Sequence, residues 1–233
     1  MRGVALTVSE IRDHLKQMQL FSGIRDISLM LLTHFGKSTH FGKGQFIFLQ
    51  SDPSDRFYIV RSGLVSILLE SSDGREMVIN EMRPGDFFGE LGLLTGKDRS
   101  TSAVARTDCD LLVFPRQAFL DIIEAEPLIA RSILDLTANR LRNSSERESA
   151  LAFLDAQARL ARLLVQLDKQ EPEKGYVTLS QGELAQRTGL TRQTVAKALG
   201  RWRKAGWLIT GRGRILLLRR NELARLEKEW LSS

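Results

Sequence analysis

An α+β chain in three successive parts is the expectation from this sequence, and three changes of texture carry it. Short helix-like segments open the chain, short apolar or alternating runs fill the stretch from Phe41 to about Pro115, and a helical apolar period takes over after Pro127. Many short strands at regular spacing imply an antiparallel β-roll or barrel. The 233 residues, 42% hydrophobic and 27% charged, are enough for two ordinary domains with proper cores. The expected division is a roll with its preceding helices over 1–126, a long helix and hinge over 127–155, and a C-terminal module over 156–233.

The helical preface is read from Ile11, Leu15 and Met18, then from Leu29 and Leu32, giving helices over Ser9–Phe21 and Ile27–His34 with Ser9 as N-cap. The strand runs are 45–49, 57–60, 64–69 and 77–80. Turn residues part them at Gly42, Asp52-Pro53-Ser54-Asp55, Ser62-Gly63, Ser72-Asp73-Gly74 and Pro84-Gly85. Asp73-Gly74 between apolar strands is a hairpin signal and is read as turn chemistry alone. From Pro127 to about Leu154 no Gly or Pro interrupts the helical pattern. A helix of that length spans about 40 Å, too long for one small domain to cover, so it is expected to pair with a second copy of itself. The seam runs through Leu134, Leu141, Glu148 and Asp155 at heptad spacing, with polar residues among the intervening positions.

Charge is unevenly placed. From Ala156 onward there are 16 Lys and Arg against 7 Asp and Glu, a net of +9, while the first 155 residues carry 18 against 21, a net of −3. A basic module behind a mildly acidic one points to a polyanion partner at the C-terminal end and a separate task for the front. The one cysteine, Cys109, lies in a strand-like stretch and is read as a small structural side chain. No Ser, His and Asp set, metal-spaced cluster or Walker-type loop supports catalysis, and no metal is expected. The first residues lack a long apolar core, and no run reaches membrane-spanning length; a cytoplasmic protein with no membrane partner is expected.

Residues 85–94, followed by Arg99-Ser100, assemble the parts needed to hold a cyclic phosphate. Glycines let backbone N–H groups approach an anion, a short helical turn aims its positive end at it, and Arg99 supplies a planar fork. Glu90 would repel phosphate but accepts from a sugar hydroxyl, so Glu90 with Arg99 reads as ribose acceptor plus phosphate clamp. The pair suggests a nucleotide.

The pattern Gly89-Glu90-Leu91, a short loop, then Arg99-Ser100 resembles the phosphate-binding cassette of the cyclic AMP receptor protein and fumarate-nitrate regulator family of bacterial regulators. Residues 141–146 and 151–155 resemble the dimer helix and hinge of its cyclic-AMP-binding branch. The resemblance implies that the roll is a cyclic-nucleotide-binding jelly roll. It implies that Ser144 and Ser145 contact adenine, one hydroxyl from each subunit, with a Ser replacing the family's Thr, and that Arg140 lies near the ligand. Thr101 stands where the cassette usually has Ala.

Ser180 and Glu183 have capping-box spacing, Gly189 makes a turn, and Thr191 can cap a second helix from Arg192, which together define a helix-turn-helix. Leu184, Ala185, Leu190 and Val195 fall where the two helices must touch. Arg192, Gln193, Ala196 and Lys197 form the stripe for the DNA major groove; Arg192 and Lys197 suit guanine, Gln193 suits adenine. The family usually has Arg-Glu and a later Arg at these places, so the Gln bears on operator sequence. Thr191, Thr194, Arg201 and Arg203 are expected on phosphates. Residues 208–218 read as the hairpin of a winged helix, with Arg212 and Arg214 as backbone contacts, Trp202 and Trp207 as core, and a last helix over Asn221–Leu231.

The resemblance implies a homodimeric transcription regulator that binds a palindromic operator in double-stranded DNA, answers to cyclic AMP and contacts RNA polymerase. Cyclic di-GMP, or no ligand, is the alternative. An iron–sulfur sensor needs about four cysteines, which leaves Cys109 insufficient. Haem is less strictly excluded by His14, His34 and His40, which lie in or near the helical preface.

Overall fold

The computed structural model describes residues 7–71 and 76–231. Two compact units divide it: the first ends within the long helix at Leu141, and the second begins at Arg142 and also takes in Glu76 and Met77.

The first unit opens with α1 (Val8–Lys16), a single 3₁₀ turn at Gln19–Phe21 and α2 (Asp26–Phe35). The α1 cap is Thr7, not Ser9, because Glu10 sits three residues after Thr7 and returns the bond to the Thr7 N–H at 2.8 Å, closing a capping box. Expected as one helix to Phe21, the segment breaks after Lys16 into that separate turn. The strands follow as β1 (Lys37–Phe41), β2 (Phe46–Phe48), β3 (Arg56–Ser62), β4 (Val65–Glu70), β5 (Glu76–Met82) and β6 (Phe87–Phe88). Next come α3 (Glu90–Thr95), β7 (Ser102–Ala105), β8 (Cys109–Pro115), α4 (Arg116–Ala125) and α5 (Pro127–Phe153). The expected Asp73-Gly74 turn lies outside the described residues.

Among the described residues of this unit, eight strands form two four-stranded sheets, ordered β1-β8-β3-β6 and β2-β7-β4-β5. Strand β3 shows why the roll closes. Its alternating side chains divide between two cores, Phe57 and Ile59 packing with Leu112, Phe114 and Phe119 toward the helices, Tyr58 and Val60 with Phe88, Ala103 and Leu111 in the roll interior. All four are buried, so the apolar run is continuous where a strand with one wet face would alternate. Cys109 is fully buried in the interior cluster and its thiol donates to the Leu64 carbonyl at 3.3 Å, the structural role expected of it.

In the second unit α5 ends at Phe153. Asp155 caps the next helix, α6 (Ala156–Gln170), by accepting from the Ala158 N–H at 2.7 Å, and Arg159 donates to the Leu154 carbonyl at 2.8 Å. The chain thus breaks at Leu154–Asp155, where these two bonds take up one orphan N–H of α6 and the carbonyl that follows α5. A 3₁₀ turn at Pro172–Lys174 leads to α7 (Gln181–Thr188), α8 (Arg192–Lys204), β9 (Leu208–Gly211), β10 (Arg214–Leu217) and α9 (Arg220–Leu231). Their core gathers Leu160, Leu164, Leu184, Val195, Leu199, Trp202, Leu208 and Leu223, with Trp207 packed at its edge. A bidentate pair between Arg220 and the buried Asp168 joins α9 to α6.

Candidate functional site

The cassette takes its shape from two glycines. Gly89, at φ +86°, caps α3 in the left-handed region, and a Cβ there would lie 2.7 Å from the Arg99 guanidinium. Gly92, inside α3, lies so close to Ser54 that a Cβ would meet its hydroxyl at 1.9 Å. Between them the first turn of α3 holds Glu90 and Leu91, whose N–H groups have no acceptor within the helix.

Arg99 is 4% exposed, which for an arginine requires explanation. Its guanidinium donates to the carbonyls of Gly89 at 2.8 Å and Arg56 at 2.5 Å, and it lies 4.3 Å from the centroid of the Phe48 ring. Its Nε is buried without an acceptor. Burial pushes the guanidinium down from its ordinary value, against the opposing pull of Tyr58, Asp55 and Glu90. A cation so placed, with an unspent donor, is matched to an incoming anion. The backbone fixes its position: the Arg99 N–H donates to the Asp52 carbonyl at 2.9 Å, and the Arg99 carbonyl accepts from the Ser51 N–H at 2.8 Å.

Glu90 is also 4% exposed, and its Oε1 accepts from Arg140 Nη1 at 2.6 Å. Arg140, from α5, also donates to the Phe87 carbonyl at 2.6 Å and lies 4.7 Å from the Phe87 ring centroid. The Glu90 charge is therefore balanced inside the first unit, and its Oε2 remains to accept a hydroxyl. Of the residues expected here, the fold gathers Gly89, Glu90, Arg99 and Arg140; Leu91 and Ser100 are exposed at the rim. Ser144, half-buried, and Ser145, exposed, continue α5 beyond Arg140 in the second unit. The sequence reading missed Phe48, Tyr58 and the Arg56 carbonyl as surroundings of Arg99. No local signal marks them, because the sheets bring them there from about forty to fifty residues away.

In the helix-turn-helix, both caps stand as the sequence indicates. Ser180 accepts from the Glu183 N–H while Glu183 accepts from the Ser180 N–H at 2.8 Å, Gly189 ends α7 at φ +67°, and Thr191 accepts from the Thr194 N–H at 3.1 Å. Leu184, Ala185 and Val195 are buried where α7 and α8 meet, Leu190 packs at the edge of that core, and Arg192, Gln193 and Lys197 are exposed. Three expected phosphate contacts have other engagements: Arg201 donates to Gln157 at 2.9 Å, and the Thr191 and Thr194 hydroxyls bond each other at 2.9 Å. At the hairpin tip Arg212 is exposed, and Arg214 lies 4.8 Å from the Tyr176 ring centroid.

Among the described residues, no helix is long and apolar enough to cross a membrane, and no three His, Cys, Asp or Glu side chains gather as a metal site.

A cyclic-nucleotide-binding roll joined to a helix-turn-helix defines a ligand-responsive DNA-binding transcription regulator. The pattern described as a cyclic nucleotide-binding domain matches residues 38–126, and that of a Crp-like helix-turn-helix domain matches residues 158–226. The chain belongs to the cyclic AMP receptor protein and fumarate-nitrate regulator family. It is 34% identical over 212 residues to a CRP-like cAMP-activated global transcriptional regulator of Mycobacterium tuberculosis, covering 88% of this chain and 95% of that one. To the cyclic AMP receptor protein of Thermus thermophilus it is 32% identical over 204 residues, 86% of this chain and 93% of the other. The solved c-di-GMP responsive regulator CLP of Xanthomonas campestris superposes with a TM-score of 0.75 at 28% identity, covering 83% of this chain and 99% of that one.

Proposed function

We propose that the protein is a homodimer that binds cyclic AMP in the cassette and a palindromic operator through two copies of α8. One observation carries the ligand: Arg99 is buried with a free Nε, beside a carboxylate already held by Arg140. In this reading Arg99 and Ser100, with the N–H groups of Gly89 to Leu91, take the cyclic phosphate, and Glu90 accepts from the ribose hydroxyl. Ser144 and Ser145 contact the base, one from each subunit, as in the family the chain resembles. The M. tuberculosis and T. thermophilus relatives, named for cyclic AMP, favour this effector. Leu134 and Leu141, 69% and 67% exposed at heptad spacing on α5, support pairing of two copies along that helix.

The functional division proposed is a sensor over 1–126, a dimer helix and hinge over 127–155, and a winged helix-turn-helix over 156–233. Arg192, Gln193 and Lys197 read base edges, while Thr191, Arg212 and Arg214 set register on the backbone. Two-fold symmetry then asks for half-sites about 34 Å apart. RNA polymerase is the further partner this reading takes from the family, and the cytoplasm its location. Cyclic di-GMP is the second candidate effector, favoured by the resemblance to CLP. Titration calorimetry with cyclic AMP, cyclic GMP and cyclic di-GMP decides among them. Saturable heat with cyclic AMP that sharpens operator binding in a gel shift at stated salt supports the first reading; heat from cyclic di-GMP alone replaces it.

A further inference from the structure

We infer that the outward face of the β9–β10 hairpin is a docking surface for a partner protein, which lays an acid-ended extended segment along the open edge of β9. Ile209 and Leu216 stand directly opposite each other in the hairpin register and are 53% and 39% exposed. Leu218, two residues on from Leu216, is 51% exposed. The alternate residues Leu208, Ile215 and Leu217 turn inward and are buried in the core of the second unit. A hairpin with one wet face should alternate apolar with polar, whereas this one is apolar on both sides. Single exposed apolar residues need no explanation; three neighbouring ones on one sheet face mark a contact surface.

The hairpin also has a free edge. Ile215 exchanges backbone bonds with Val177, its N–H donating at 2.9 Å and its carbonyl accepting at 2.8 Å. Because Ile215 spends both groups on that side, it forms a non-hydrogen-bonded pair with Thr210, which therefore turns its own N–H and carbonyl away from β10. Among the described residues β9 has no second neighbouring strand, and nothing bonds to these two groups of Thr210. An unpaired N–H and carbonyl beside an apolar face are a template for strand addition. Charge selects the kind of strand. Residues 201–220 hold seven Lys and Arg and no Asp or Glu. Arg201 is engaged with Gln157 and Arg220 with Asp168, but Arg214 and Arg219, at the two ends of the apolar strip, pair with no carboxylate among the described residues. Arg214 lies over the half-buried Tyr176 ring, and arginine with tyrosine beside aliphatic side chains is the composition of a protein contact. Duplex phosphates can take an arginine but gain nothing from Ile209, Leu216 and Leu218. A segment with an apolar centre and acidic ends satisfies the strip, the edge and both arginines together.

The test is calorimetric titration of the full chain, at fixed ionic strength, with a capped peptide Glu-Glu-Val-Thr-Val-Thr-Glu-Glu and with its counterpart carrying lysines for glutamates. The glutamate peptide should bind saturably and about tenfold or more tighter than the lysine peptide, which sets like charges against Arg214 and Arg219. The double variant Ile209→Ser, Leu216→Ser should weaken it by about tenfold or more, while its operator affinity in a gel shift stays within about twofold. Thr210→Pro removes the edge N–H at a place where an edge strand tolerates proline, and should weaken the peptide by about threefold or more. Should the double variant misfold by circular dichroism, exposed Leu218→Ser must produce the weakening instead. Absence of saturable binding, equal affinity for the two peptides, or undiminished binding to Thr210→Pro overturns the proposal. So does a loss of operator affinity in the double variant at unchanged peptide affinity, which assigns the face to DNA.

Discussion

Arg99 follows the short helix α3 and Arg192 opens α8, and the chain treats them in opposite ways. Arg99 is 4% exposed, held by two carbonyls and laid on an aromatic ring; Arg192 is exposed on the first turn of α8. The first is prepaid order: its rotamer and desolvation costs fall on folding, leaving a rigid donor for a small ligand. The second remains exposed to water, suited to a partner that brings its own dense charge. A pocket for one phosphate needs geometry, whereas a groove lined with many phosphates needs charge at the right spacing.

That contrast is broken most severely at Arg99. Arg99→Ala should reduce cyclic nucleotide affinity by about 100-fold or more, since bonds to a charged group are worth ~1.5–3 kcal/mol each. It should also lower folding stability by about 1–3 kcal/mol by stranding the carbonyls of Gly89 and Arg56. Calorimetry and urea unfolding measure the two losses, and a ligand loss without a stability loss would show that the carbonyl bonds are dispensable. Gly92→Ala tests the same rigidity without touching a charge: the clash with Ser54 should cost ~1–3 kcal/mol, partly relieved by Ser54→Gly in the double variant.

On the exposed side, Lys197→Ala or Arg192→Ala should cost about 1–3 kcal/mol of operator discrimination, seen in competition gel shifts, while unfolding stability changes by less than ~0.5 kcal/mol. If either truncation unfolds the protein, the contrast fails. Acid should act on the first unit. The Ser28 hydroxyl, then Arg25, hold the Glu126 carboxyl below its ordinary value, and His40, then Ser62 and Arg61, do so for Asp110. Both groups are depressed on folding, so they contribute stability fully above about pH 4.3 and lose it as pH falls through the folded values. Melting temperature measured from pH 7 to pH 3 should fall, and less steeply in Glu126→Gln. The smallest effect belongs to Arg212→Ala, which should reduce the salt slope of operator binding by about 1 and leave base preference intact.

What the sequence made legible follows the range of the interactions. The helix-turn-helix was readable because its information is local: Ser180 with Glu183, Gly189, and Thr191 fall within a dozen residues. The Glu90 and Arg99 pair was readable for the same reason. The partners that bury Arg99 were not, because Phe48 and Arg56 reach it only once β2 pairs with β7 and β3 with β8, and no local pattern records such pairing. Strand β1, Lys-Ser-Thr-His-Phe, was passed over because its side chains are mostly polar; its ladder with β8 holds it in place. At α1 the signal was present and misassigned: Thr7 with Glu10 completes a box that Ser9 cannot, having Arg12 three residues on.

The Glu90–Arg140 bond carries a kinetic consequence for the proposed sensor. Because the carboxylate is oriented before any nucleotide arrives, capture requires no search among rotamers, and the association rate should be set by encounter with the mouth of the roll. Selectivity among messengers that share a cyclic phosphate then resides in how long each remains.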